Sequence, residues 1–231
     1  DIKKEINSAC KEMNRYVKDK CLAFLNKGKV VGLIGGDHST PLGLMQALAE
    51  KYSFFAILQI DAHADLRKAY EGFEFSHASI MFNALKIPQM KRLVQVGIRD
   101  YCEEEAAIIA NAGSRVKTFF DKDIKQQQYE GKTWRAIVNE IVNELPDNVY
   151  ISFDIDGLDP KLCPHTGTPV AGGFEFEQVI YLIEKVAESG RKIISFDINE
   201  VAPGDDEWDA NVGSRLLYKI ANVMAQSNGR I

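Results

Sequence analysis

The run Phe54-Phe55-Ala56-Ile57-Leu58-Gln59-Ile60 is apolar and of strand length, and it leads without a break into Asp61-Ala62-His63-Ala64-Asp65. A buried strand that delivers three potential metal ligands at every second position constrains the fold strongly. In extended backbone, side chains two apart point the same way, so Asp61 and His63 converge on one point, and Asp65 joins them if the chain bends. Carboxylate oxygens with an imidazole suit a hard or borderline divalent cation. Asp is also common in turns, so the motif alone leaves a plain polar turn open.

Similar runs recur. Residues 29–34, 92–96, 115–119, 148–153 and 192–196 read as further short strands. Amphipathic helices are expected over residues 2–25, 41–52, 103–112, 134–145, 175–188 and 209–225, with a shorter one from 77 to 85. Pro41 suits a first helical turn, while Gly28, Gly113 and Pro146 stop helices. Strands that alternate with helices imply an α/β fold: a mostly parallel sheet covered on both faces, in three αβα layers. No repeat, low-complexity tract or linker divides residues 1–231, which suffice for one domain with a continuous core. The chain begins at Asp1 rather than Met, so an amino-terminal portion is expected to be absent.

The formal charge of -5 argues against a nucleic-acid surface, which needs a basic face, and suits a small cationic ligand. Cys10, Cys21, Cys102 and Cys163 form no CxxC pair and read as reduced thiols, which points to the cytoplasm. No apolar run approaches the roughly 20 residues that span a bilayer, so no membrane role is expected.

Four of the expected strands end in polar clusters: Asp37-His38, the 61–65 motif, Asp154 with Asp156, and residues 197–200. In parallel α/β sheets, ligands bind at the carboxyl ends of the strands. Singly, each cluster has a plain explanation as a helix-cap neighbour, a turn former or an exposed loop acid. Jointly, several acids gathered at one edge repel one another unless a cation offsets them. The set resembles a two-metal site. His38, Asp61, Asp65 and Asp154 would serve one ion, and Asp61, His63, Asp154 and Asp156 the other, with Asp61 and Asp154 bridging. Two such ions lower the pKa of a shared water and fix its direction of attack. Oxygen-rich ligation with two imidazoles suits Mn²⁺, with Co²⁺, Ni²⁺ or Fe²⁺ as substitutes.

Gly35-Gly36-Asp37-His38-Ser39, residues 61–65, Ser76-His77, Ser152-Phe153-Asp154-Ile155-Asp156-Gly157-Leu158-Asp159-Pro160, Gly167-Thr168-Pro169 and Glu200-Val201-Ala202-Pro203 together resemble the ureohydrolase family of arginases, agmatinases and formiminoglutamases. The resemblance runs in order from Val30 onward. It implies an arginase-like fold, two Mn²⁺ ions on the six ligands above, and assembly as a homotrimer or homohexamer. It also implies roles for His77, which shuttles protons or contacts substrate, for Glu200, which holds the guanidinium, and for Asp65, which accepts a proton during attack. Relatives of this family place further strands and part of the entrance in the amino-terminal portion.

Asp65-Leu66-Arg67, Tyr70-Glu71-Gly72 and Gly172-Gly173 look most like agmatinases, which implies cleavage of agmatine to putrescine and urea. Arg67 would repel the α-amino group of arginine. Arginine, guanidinobutyrate and formiminoglutamate are the alternative substrates. His77-Ala78-Ser79-Ile80 departs from the agmatinase His-Gly-Thr-Pro, and His165 stands where Gly is usual. A deacetylase-like amide hydrolase is disfavoured because Glu200 has no use in an amide site and tandem histidines are absent from the sequence. A non-catalytic relative is disfavoured because all six ligands are present.

Overall fold

A computed structural model of the chain describes residues 2–231. Its strands are β1 (Val31–Ile34), β2 (Phe55–Ile60), β3 (Met90–Ile98), β4 (Val116–Phe120), β5 (Asn148–Asp154) and β6 (Lys192–Asn199). Its helices are α1 (Ile2–Leu25), α2 (Leu42–Lys51), α3 (Ile80–Ala84), α4 (Glu103–Asn111), α5 (Asp121–Tyr129), α6 (Trp134–Asn143), α7 (Phe176–Glu188) and α8 (Trp208–Ser227). The strands form one sheet in the order β1-β6-β5-β2-β3-β4, and every neighbouring pair is parallel.

Alternation of side chains along β2 supplies two cores. Ala56, Leu58 and Ile60 pack with Ile137 and Ile141 of α6, Ile183 of α7 and Leu216 of α8. Phe55 and Ile57 pack on the other face with Cys21 of α1, Leu44 and Leu48 of α2 and Met81 of α3. All six residues of β2 are buried, as a central parallel strand requires. From β2 the chain steps outward through β3 to β4, then returns to β5 on the opposite side of β2 and moves on to β6. The order therefore reverses between β2 and β5, where a crevice opens beyond the strand ends. Both carry acids there.

The three-layer expectation and the strand and helix positions hold, with local differences. Residues 121–129 are helical although the sequence pattern suggests no helix; Asp121 and Ile124 are the buried members of α5, so it lacks an apolar stripe. The segment from His77 opens as one 3₁₀ turn, His77–Ser79, before α3. Strand β6 runs on to Asn199, so the last polar cluster starts inside the sheet. The outer edge of β1 pairs with no other strand among the described residues, and Ile34 there is 66% exposed. No helix among the described residues is long and apolar enough to cross a membrane.

Helices α1 and α2 approach backbone to backbone at Gly43. A Cβ there would lie 2.3 Å from the carbonyl oxygen of Asn14 and 2.8 Å from the amide nitrogen of Lys18. Gly43→Ala gains about 1 kcal/mol of helix propensity, but overpacking costs about 1–3 kcal/mol, and here the obstacle is backbone that cannot turn aside. Denaturant unfolding of Gly43→Ala is expected to show a net loss of stability.

Candidate metal centre

Strand β2 ends at Ile60, and the next residues turn within a tight frame. Asp61 Oδ1 accepts the amide of His63 at 2.6 Å, and the carbonyl of Ala62 accepts the amides of Arg99 and Asp100 at 2.8 and 3.0 Å. The bend that Asp65 needs is present, since its φ is +56°, a left-handed conformation that a non-glycine residue adopts at some cost. The Asp65 carbonyl holds that bend by accepting the amides of Met81 and Phe82 at the start of α3.

His38 follows β1 and is 1% exposed. Its Nδ1 lies 3.1 Å from Asp61 Oδ2, 3.1 Å from Asp65 Oδ2 and 3.2 Å from Asp154 Oδ2. None of the three meets hydrogen-bond geometry, so this buried nitrogen is left without a partner. A nitrogen and three carboxylate oxygens that surround a point without bonding one another form a donor set for a cation. On the far side of the ring, Nε2 lies 2.9 Å from Ser152 Oγ, and Ser152 donates to Asp197 Oδ1 at 3.1 Å. That chain commits Nε2 and turns the Nδ1 lone pair toward the carboxylates.

The second imidazole sits across Asp61. His63 Nδ1 is 2.9 Å from Asp156 Oδ2 and 3.6 Å from Asp61 Oδ1. Asp156 is held by the amide of Ala62 at 3.0 Å, and Asp154 Oδ1 accepts the amide of Asp156 at 2.9 Å. Two groups able to hold a metal ion result, His38 with Asp61 and Asp65, and Asp61 with His63 and Asp156, sharing Asp61. Asp154 joins the first through its contact with His38. The six residues expected as ligands therefore lie together, and their chemistry fits a pair of divalent ions.

With no cation present, the cluster holds protons instead. Burial and the charge of Asp61 raise the Asp65 carboxyl to about 7. Burial likewise raises Asp154 well above the carboxylate range, helped by Asp156 and Asp61, and raises Asp156, helped by Asp61. Burial disfavours the imidazolium of His63, but its contacts with Asp156 and Asp61 prevail and raise it to about 11. Asp61 moves the other way: burial would raise it, and its two histidine neighbours pull it low.

The site opens on a cavity of about 150 Å³ lined by His63, Asp65, Arg67, Tyr70, His77 and Asp100, among others. The His77 ring meets Tyr70 edge-on at 5.8 Å. Glu200 is not part of this lining. One of its oxygens accepts the amide of His38 at 2.8 Å, and burial raises its carboxyl. Glu200 has a φ of +62°, its amide donates to the Gly36 carbonyl, and its own carbonyl accepts from Thr166 Oγ1 at 2.9 Å. Arg67 lies over the Tyr70 ring at 5.4 Å and 3.7 Å from the buried Glu105. The contact with Glu105 is longer than a hydrogen bond, and the Arg67 side chain is 38% exposed, so its charge still faces the cavity.

Several residues of the site went unmarked in the sequence reading. Arg99 donates to the carbonyls of Asp156, Leu158 and Val170, fixing residues 156–170 against the end of β3. Glu105 accepts the amides of Leu66 and Cys102 at 2.9 Å each, joining the loop after Asp65 to α4. Cys102 is not the Ser or Thr that opens a capping box in a sequence pattern, so this role of Glu105 had no clear sequence signal. His165, noted only as a departure from pattern, pairs with the buried Asp209 of α8 at 2.9 Å.

Residues 2–222 match the profile of the arginase family. N(1)-aminopropylagmatine ureohydrolase of Thermus thermophilus is 34% identical over 207 residues, covering 90% of this chain and 67% of that protein. Agmatinase of Citrobacter koseri is 32% identical over 223 residues, covering 95% of this chain and 68% of that protein. The crystal structure of agmatine ureohydrolase of Thermoplasma volcanium superposes with a TM-score of 0.81 at 27% identity, covering 95% of this chain and 71% of that one.

The proton load gives a pH signature. Asp65 has an ordinary value of 3.8 and sits at about 7 in the metal-free fold. A raised acid favours the folded state fully below its unfolded value, and that contribution is lost as pH rises through the folded value. Thermal melts in chelator should therefore show a stability loss from this site between about pH 4 and about pH 7. An excess of divalent ion, which takes the place of the proton, is expected to remove that loss and to release protons on binding.

Proposed function

The chain belongs to the arginase family and shares its αβα fold and its hydrolysis of amidino C–N bonds, and from that premise we propose that it is a binuclear manganese enzyme that cleaves agmatine, or a longer amine-tailed guanidine, to the amine and urea. The observation that carries this reading is the pair of donor groups joined at Asp61 around the unpartnered Nδ1 of His38. Two Mn²⁺ ions, or Co²⁺, Ni²⁺ or Fe²⁺ in their place, would supply an activated and oriented water. His38, Asp61, Asp65, His63, Asp154 and Asp156 are the residues to hold them.

Water adds to the guanidinium carbon, the bond from that carbon to the alkyl nitrogen breaks, and the nitrogen leaves as an amine with an added proton. Asp65, a carboxylate of the donor set that also lines the cavity, is the residue to take a proton from the attacking water. His77 lines the same cavity and is the residue to pass a proton to the departing amine. Glu200, a half-buried carboxylate with one oxygen engaged by the amide of His38, is the residue to hold the guanidinium in this reading. The functional assembly in this reading is a homotrimer or homohexamer.

The tail of the substrate is cationic in this proposal. Asp100 lines the cavity with a side chain 64% exposed, near the outer nitrogen of His63 at 3.7 Å. Arg67, the cavity's guanidinium, lies 3.7 Å from Glu105 and over the Tyr70 ring. An exposed carboxylate at the rim, whose contact with His63 is equally long, favours a terminal ammonium over a carboxylate tail. The related proteins named for agmatine and for N(1)-aminopropylagmatine support the same class of substrate.

Urea release should be measured with Mn²⁺-loaded protein across agmatine, N(1)-aminopropylagmatine, arginine and guanidinobutyrate. Turnover is expected with the first two and little with guanidinobutyrate; no urea from any of the four would sink the proposal. Asp100→Asn should raise KM for agmatine about 5-fold with kcat little changed, since a solvent-exposed ion pair contributes about 1 kcal/mol.

A further inference from the structure

A row of polar side chains crosses the sheet near the carboxyl ends of β2 and β5. Thr118 of β4 is in register with Gln95 of β3, Gln95 with Gln59 of β2, and Gln59 with Ser152 of β5. Gln59 and Gln95 are fully buried. Their hydrogen bonds run in one direction. Thr118 Oγ1 donates to Gln95 Oε1 at 2.8 Å, and Gln95 Nε2 donates to Gln59 Oε1 at 2.7 Å. Gln59 Nε2 then donates to Asp61 Oδ2 at 2.8 Å. The remaining amide hydrogens reach backbone, from Gln59 to the carbonyl of His63 at 3.1 Å and from Gln95 to that of Ala64 at 2.8 Å.

We propose that Thr118, Gln95 and Gln59 are positioning residues that set the metal affinity of the site by orienting the Asp61 carboxylate and bracing the His63–Ala64 backbone from below. The proposal rests on the metal-binding reading of the cluster. Every donor and acceptor of the two amides is used, and each bond depends on the one before it. The Thr118 hydroxyl engages the oxygen of Gln95, so its nitrogen faces Gln59, which in turn presents its own nitrogen to Asp61. Reversal of Gln59 would set its oxygen against Asp61 Oδ2, and reversal of Gln95 would set its oxygen against Gln59 Oε1, two acceptors face to face in either case. Asp61 is the carboxylate common to both donor groups, so an error in its pose reaches both. Buried amides are costly unless satisfied, and apolar residues would fill these strand positions as well; a complete one-way row confers orientation.

The test is Mn²⁺ titration calorimetry on wild type, Gln95→Met, Thr118→Val and Thr118→Ser, with metal-free melting temperatures as a check on folding. Neither Gln95 nor Thr118 touches a donor atom of the cluster. Gln95→Met keeps the side-chain length but breaks the row, and about 10-fold weaker Mn²⁺ binding is expected. Thr118→Val keeps the shape and removes only the first donor. It should weaken binding in the same direction and by less, while Thr118→Ser restores it. If Gln95→Met does not fold, the Thr118 pair decides alone. Folded variants that bind Mn²⁺ as tightly as wild type overturn the proposal. A wild type that takes up no Mn²⁺, Co²⁺, Ni²⁺ or Fe²⁺ overturns the metal reading and this inference with it.

Discussion

Four carboxylates, those of Asp61, Asp65, Asp154 and Asp156, converge on the imidazoles of His38 and His63 in a space nearly closed to water. Such an arrangement is costly for a folded chain to hold, because desolvation penalises every charge and the like charges of the carboxylates add to the penalty. The protein meets the cost with protons when no cation is there, as the raised carboxyls of Asp65, Asp154 and Asp156 indicate. In the proposed reading a cation pair would replace those protons and offset the repulsion. The fold can be understood as what is needed to bring these groups together, since β2 and β5 meet where the strand order reverses and all four acids follow directly from those two strands.

Rigidity around the acids comes from bonds that do not involve them directly. Tyr150, Ser152 and Asn199 all donate to the buried Asp197, which sits behind His38. Arg99 spans from β3 to the carbonyls of the loop after Asp156, and Glu105 ties the loop after Asp65 to α4. Asn7 of α1 extends the same support to residues 72–74 through the Gly72 carbonyl and the amide of Glu74. Each donor group thus rests on a neighbour whose own partner lies in a different element. Such cross-bracing preserves the pose of a ligand when the metal is absent, and it reduces the reorganisation required when the metal arrives.

The strand ends could be read in the sequence because their pattern is local: an apolar run, then acids and histidines at alternate positions, repeated on several strands. The same local view fails for α5, whose polar stretch 121–129 buries only Asp121 and Ile124 among its nine residues and is shaped by tertiary contact more than by periodicity. It fails also for Gln59 and Gln95. Each looks like a single polar interruption in a strand, and only the register of three strands turns them into neighbours. Asp197 was seen at the head of a polar cluster, but its partners Tyr150 and Ser152 belong to β5, far away in sequence. Glu105 caps the amide of Cys102 at the start of α4, but Cys102 stands where the capping pattern has Ser or Thr, so the local signal is missing there too.

Selectivity is built from a different set of contacts than the ligand cluster. Arg67 lies 3.7 Å from Glu105 on one side and over the Tyr70 ring on the other, so its guanidinium forms a wall of the cavity and keeps its charge there. The cavity then keeps one outward-facing carboxylate, Asp100, whose backbone is bound to the Ala62 carbonyl in the middle of the ligand motif. In the proposed reading, the residue offered to the far end of a substrate is therefore tied to the segment that carries Asp61 and His63. The distance between the two would then be set by one short stretch of backbone, so substrate length would be gauged against the cluster itself.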